Sequence, residues 1–263
     1  MKKVAFGPCQ INGYSIHSVT SNNPNKILAL GTKSHLTEDG RNEEITYVLK
    51  FSKDPTEASV LSRINFDKII QPVDYFRYSI YYVFAYHHQP SHLSEFLEKN
   101  RSIPLTIGLK LMYDCTESIR FLHYNNTTHG NVRLENFLLD ISHPSRSLNK
   151  ENNQNSQKPS SICIKKAILC DLEFAKCVQE NEKLLSQSKA DDLFSEDIYS
   201  LGIVLSCIWT RTQKTYLSTK KTINPKKIDD LLVSMISQDP CQRPDANNVL
   251  TNLYYFMKAV TQK

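Results

Sequence analysis

Apolar positions in the first third of the chain recur at every second residue, and further on at every third or fourth. This change of period predicts strands followed by helices. Residues 26–30 and 45–51 are predicted short strands, separated by a polar loop over 37–42. The segment before them, 1–26, carries few periodic signals, and Ser21-Asn22-Asn23-Pro24-Asn25 within it reads as a turn. Val60, Leu61 and Ile64 have helical spacing within a short helix over 57–64. Residues 69–70 and 79–86 return to strand character.

After His87 the texture is helical. Predicted helices cover 92–99 and 104–124, the second with Ile107, Leu111, Cys115, Ile119 and Leu122 as one stripe. Two strands, 137–141 and 162–169, flank a polar stretch, 142–161, rich in Ser, Asn, Gln and Lys. That stretch has too little apolar surface to offset the entropy of ordering it and is expected to be a mobile insertion. Helices over 198–210, 228–237 and 247–260 close the chain. The fold class that follows is α+β, one domain with a strand-rich part, 1–86, and a helical part, 87–263, crossing near 85–89.

Composition narrows the setting. The 263 residues suffice for a sizeable core. The net charge of +5 is spread along the sequence, which disfavours a nucleic-acid surface. The seven cysteines form no CxxC pair, which points to reduced thiols in the cytoplasm and to no zinc site. No run of 18 apolar residues and no leader-like segment is evident, so neither membrane insertion nor secretion is expected.

The chemistry lies in ordered motifs: Val48-Leu49-Lys50, then Glu57, then His129-Gly130-Asn131-Val132-Arg133-Leu134-Glu135-Asn136, then Asp171-Leu172-Glu173, Asp197-Ile198-Tyr199-Ser200-Leu201-Gly202 and Asp239-Pro240-Cys241-Gln242-Arg243-Pro244. Their order resembles the protein kinase family over nearly the whole chain. The resemblance implies a two-lobed fold, with Lys50 as the phosphate-binding lysine and Glu57 as its partner. It also makes Asn136 and Asp171 the metal-binding pair, Phe84 the gatekeeper beside Tyr86, and Asp197 the holder of the catalytic loop. The departures are chemical. The base position holds Asn131, whose carboxamide cannot accept a proton near neutral pH. No glycine-rich loop precedes Lys50, and only Gly31 lies near its place. Gly130 replaces the loop arginine, and the segment between Asp171 and Asp197 is short, with no Ala-Pro-Glu anchor, leaving Arg243 without its usual carboxylate.

His-Gly-x-Val-Arg followed by Asn-Phe-Leu, with Glu173 where glycine usually ends the metal loop, resembles the pseudokinase domain of the mixed lineage kinase domain-like family. It is similar in plan to the poxvirus-type viral homologues that lack that family's four-helix bundle. The resemblance implies a catalytically inactive decoy that sequesters a host receptor-interacting kinase, receptor-interacting kinase 3, in the cytoplasm and inhibits necroptosis. No cofactor is required on this reading. ATP retention in a vestigial pocket of Lys50, Glu57, Asn136, Asp171, Phe84, Tyr86 and Glu173 stays open, with Glu173 or Glu57 expected to pair with Lys50. The alternatives are a cellular pseudokinase that regulates an active kinase and an atypical kinase with residual activity.

Overall fold

The computed structural model describes residues 9–23, 26–89, 91–142, 163–178, 187–216 and 224–261. The fold is α+β. Six antiparallel strands, β1 (Cys9–Ile11), β2 (Tyr14–Asn23), β3 (Lys26–Leu36), β4 (Asn42–Ser52), β5 (Asp74–Tyr78) and β6 (Tyr81–His87), form one sheet in the order β1-β2-β3-β4-β6-β5. The pairing of β2 with β3 shifts register twice, between Ile16 and Ser18 and between Val19 and Ser21. Such irregularities sharpen the twist and curl the sheet. Strand alternation decides which side chains go where. Tyr47, Leu49 and Phe51 of β4 pack with Tyr14, Val83 and Ala85 into one apolar cluster, while Val48 and Lys50, on the opposite pleat, line a cavity.

Two parts of this sheet escaped the hydrophobic pattern. β1 and all of β2 lie in the segment with few periodic signals, residues 21–23 of the expected turn close β2 as strand, and β5 lies ahead of the predicted strand at 79–86. Ile69 and Ile70 do not form a strand; Ile69 makes one isolated parallel bridge to Leu169.

α1 (Thr56–Leu61) follows β4, introduced by an Asx turn in which Asp54 Oδ1 accepts the Thr56 amide at 2.8 Å. The helical part comprises α2 (Leu93–Lys99), α3 (Leu105–Tyr124), α4 (Gln187–Tyr216), α5 (Pro225–Met235) and α6 (Ala246–Thr261), with the short pairs β7 (Thr127–Thr128) with β10 (Lys176–Cys177) and β8 (Phe137–Ser142) with β9 (Cys163–Leu169). α3 packs against α4, α6 and β9, and its predicted stripe is core: Leu111, Cys115, Ile119 and Leu122 are fully buried. Buried Asp114 ties α3 to its surroundings by accepting from Lys68 Nζ at 2.6 Å, Lys110 Nζ at 2.7 Å and the Ala167 amide at 3.2 Å.

The insertion, apart from Ser142 at the end of β8, lies outside the described residues. α4 extends well beyond the predicted 198–210 at both ends. Within it, Leu193–Gln213 is long and apolar enough to cross a membrane by length and composition alone, a test that the core helix of a folded domain also passes. Its Ile198, Leu201, Val204, Leu205, Ile208 and Trp209 are buried in the core of the helical part, and Trp209 Nε1 donates to Asp229 of α5 at 2.7 Å.

Candidate functional site

A cavity of about 320 Å³ opens beneath the curled sheet. Leu28 and Leu30 of β3 and Val48 of β4 form one wall, Ile70 and Leu138 contribute from below, and Tyr86, His87, His88 and Gln89 follow its edge. At the other end the lining is ionic: Lys26, Lys50, Glu57 and Asp171, beside Asn136.

The ionic end is a chain of contacts. Lys50, 4 % exposed, pairs with Glu57, 2 % exposed, in a close ion pair, and reaches Asp171 Oδ1 at 2.7 Å. The Tyr86 hydroxyl donates to the other Glu57 oxygen at 2.8 Å, fixing the carboxylate from behind. Lys26, the first residue of β3, donates to the same Asp171 oxygen at 2.6 Å. Lys26 also lies 3.0 Å from Glu173 Oε2, which stands 4.0 Å from Lys50 and makes no hydrogen bond among the described residues. Burial pulls the Lys50 pKa down, but Glu57 and Asp171 outweigh it and hold the ammonium above the ordinary lysine range. Burial pushes the Asp171 carboxyl up, yet Lys50 and Lys26 together bring it down to about 2. Burial, and next Glu57, keep the Tyr86 phenol well above its usual value.

Asp171 adopts a left-handed backbone, φ 69°, which costs a non-glycine residue about 1 kcal/mol and is held here by its two ion pairs. The loop carrying Asn131 is fixed by Asp197, whose carboxylate accepts the His129 amide at 2.7 Å and the Gly130 amide at 2.9 Å. His129 is fully buried. Its Nδ1 accepts the Asn131 amide at 3.2 Å, so Nε2 carries the proton and donates to the Cys170 carbonyl at 3.0 Å. The Asn136 side chain donates from Nδ2 to the Asn131 backbone carbonyl at 2.8 Å. Gly130, at φ 73°, is required, because a Cβ there would come 2.6 Å from the Phe174 carbonyl oxygen.

The structure therefore brings Lys50, Glu57, Asn136, Asp171 and Tyr86 to one cavity, with Glu173 beside its ionic end. The expected pairing of Lys50 with Glu57 is present. Three expectations are corrected. Phe84 does not line the cavity: β6 pairs Phe84 with Lys50 and Tyr86 with Val48, Tyr86 faces the cavity, and Phe84 packs behind it against Tyr75. Gly31 sits in the middle of β3, where a Cβ would meet Leu49 at 2.9 Å. Arg243 keeps a carboxylate: its Nη1 donates to Glu196 at 2.8 Å, and its guanidinium lies over Tyr199. Sequence reasoning missed Lys26 altogether, although a lysine directly after the Asn-Pro-Asn turn was a usable signal.

Among the described residues no group of three or more His, Cys, Asp or Glu side chains is placed to hold a metal ion. Chemically, the arrangement offers an apolar slot joined to an ion-paired end whose carboxylates already carry ammonium partners. Compared with known proteins, the chain matches no family model, and no curated protein matches it.

Proposed function

We propose that the chain is a catalytically inactive, two-lobed kinase-like domain, with 1–86 as the small lobe and 87–263 as the large one, that acts by binding a protein partner. The observation that carries this reading is Asn131. It stands on a loop pinned by Asp197 beside the ion-paired cleft, where phosphoryl transfer needs a proton acceptor, and a carboxamide is none. The occupied ionic end supports it: Asp171, the carboxylate a magnesium ion would need, is bound by two lysines. The resemblance of the catalytic and metal loops to the mixed lineage kinase domain-like family makes receptor-interacting kinase 3 the partner to test, with decoy inhibition of necroptosis in the cytoplasm as the outcome. Purified chain mixed with the kinase domain of that partner is expected to co-elute as a stoichiometric complex; separate elution at micromolar concentration would contradict the reading.

A second reading, a residual kinase, is favoured by the intact pair of Lys50 with Glu57. Phosphate transfer that disappears in Lys50→Met would select it.

A further inference from the structure

The feature that neither the motif pattern nor the decoy reading uses is Lys26. It enters the cleft from the start of β3 and crosses 145 positions of sequence to reach Asp171. Its ammonium and that of Lys50 converge on a single carboxylate oxygen, and Glu173 Oε2 lies 3.0 Å from Lys26 and 4.0 Å from Lys50. Of the lysines and arginines among the described residues, only these two line the cavity. They face three carboxylates, Glu57, Asp171 and Glu173, so the ionic end carries no spare positive charge for a phosphate. A triphosphate would have to draw a lysine away from carboxylates that are already removed from water, and a divalent ion would have to displace two ammoniums from Asp171. The rest of the cavity is undisturbed: Leu28, Leu30, Val48, Ile70 and Leu138 line an apolar slot within the cavity of about 320 Å³, whose walls suit a small flat ring system.

We propose that Lys26 closes the polar end of this cleft, so that the slot takes an uncharged flat heteroaromatic ligand of the nucleobase or nucleoside class without a divalent metal and rejects the triphosphate. The proposal rests on the reading of the cleft as a vestigial nucleotide pocket and makes Lys26 its specificity-determining residue. Thr20, which bonds the Leu28 carbonyl at 3.1 Å, also lines the cavity, so the β2–β3 hairpin carries both slot and latch.

Calorimetric titration of the full chain with adenosine and with ATP, each in Mg²⁺ and in EDTA, tests it. Wild-type chain is expected to bind adenosine saturably, to bind ATP at least about tenfold more weakly, and to respond to neither metal nor chelator. Lys26→Met leaves Asp171 and Glu173 short of a cation and is expected to gain about tenfold in affinity for ATP in Mg²⁺ alone, with adenosine unchanged. Lys26→Arg is expected to behave as wild type. Failure of adenosine to bind, or wild-type binding of ATP with Mg²⁺ as tightly as adenosine, would overturn the proposal. The wild-type comparison decides even if Lys26→Met does not fold. Complex formation with a protein partner is read separately, so either conclusion can fail alone.

Discussion

Lys50 is the residue on which the ionic end turns, because it holds Glu57 and Asp171 at once. Removing its charge leaves Glu57 buried with only the Tyr86 hydroxyl. Lys50→Met is therefore expected to lower unfolding free energy by about 3 kcal/mol, as for other buried pairs cut on one side. Chemical denaturation with an unshifted midpoint would contradict that. His129 supplies a pH dependence of known sign. Burial lowers its pKa from 6.5, and the native fold needs Nδ1 unprotonated to accept the Asn131 amide. Below pH 6.5 the unfolded chain binds a proton that the folded one resists, so this contribution to stability is complete above pH 6.5 and is lost as pH falls toward the depressed folded value. Melting temperature is expected to drop between pH 7.5 and 5.5, about a unit either side of the ordinary histidine value, and His129→Asn to reduce that drop; an unchanged slope in the variant would rule it out. At this scale the sequence was informative where a role depends on residue type. Asn131 shows its missing proton acceptor in its name, whereas Lys26 is an ordinary lysine until β3 brings it opposite Asp171.

Elements fix what single residues cannot. The slip from Phe84 to Tyr86 as the cavity-facing residue is a matter of strand register: shifting by two keeps the pleat face but moves the side chain along the strand, and only the pairing of β6 with β4 decides which residue stands over Val48. Tyr86→Phe would remove the donor that fixes Glu57 from behind. A cost of about 1–2 kcal/mol is expected, with faster amide exchange in α1, whose first turn carries Glu57. Unchanged exchange there would mean that Lys50 alone holds the helix. The loop at Gly130 packs against Phe174, so Gly130→Ala strains a positive φ and must also move the Phe174 backbone. A loss of about 2 kcal/mol is expected in thermal denaturation, and a shift within error would contradict the packing argument. Helix-forming segments were legible because their apolar stripes are long. β1, β2 and β5 were not: β1 and β5 span only 3 and 5 residues, too few for a period to emerge, and the 10 residues of β2 are interrupted by two register shifts that break the alternation.

For the whole molecule, the α+β order of elements followed from the change of hydrophobic period, while the links that define the cleft are contacts between distant parts of the chain. Asp197 gathers the His129 and Gly130 amides from 68 and 67 positions away, and Lys50 meets Asp171 across 121. No local pattern encodes such pairs; only an ordered series of motifs hinted at them. Arg243 makes the same point, since its partner Glu196 lies beside Asp197 rather than in the anchor motif where it was sought. The central claim is that this assembled cleft holds its shape without turning over substrate. Incubation of the purified chain with γ-labelled ATP, magnesium or manganese and a mixed protein acceptor measures it directly. No label above that seen with Lys50→Met is the predicted result; transfer into any acceptor that Lys50→Met abolishes would contradict it.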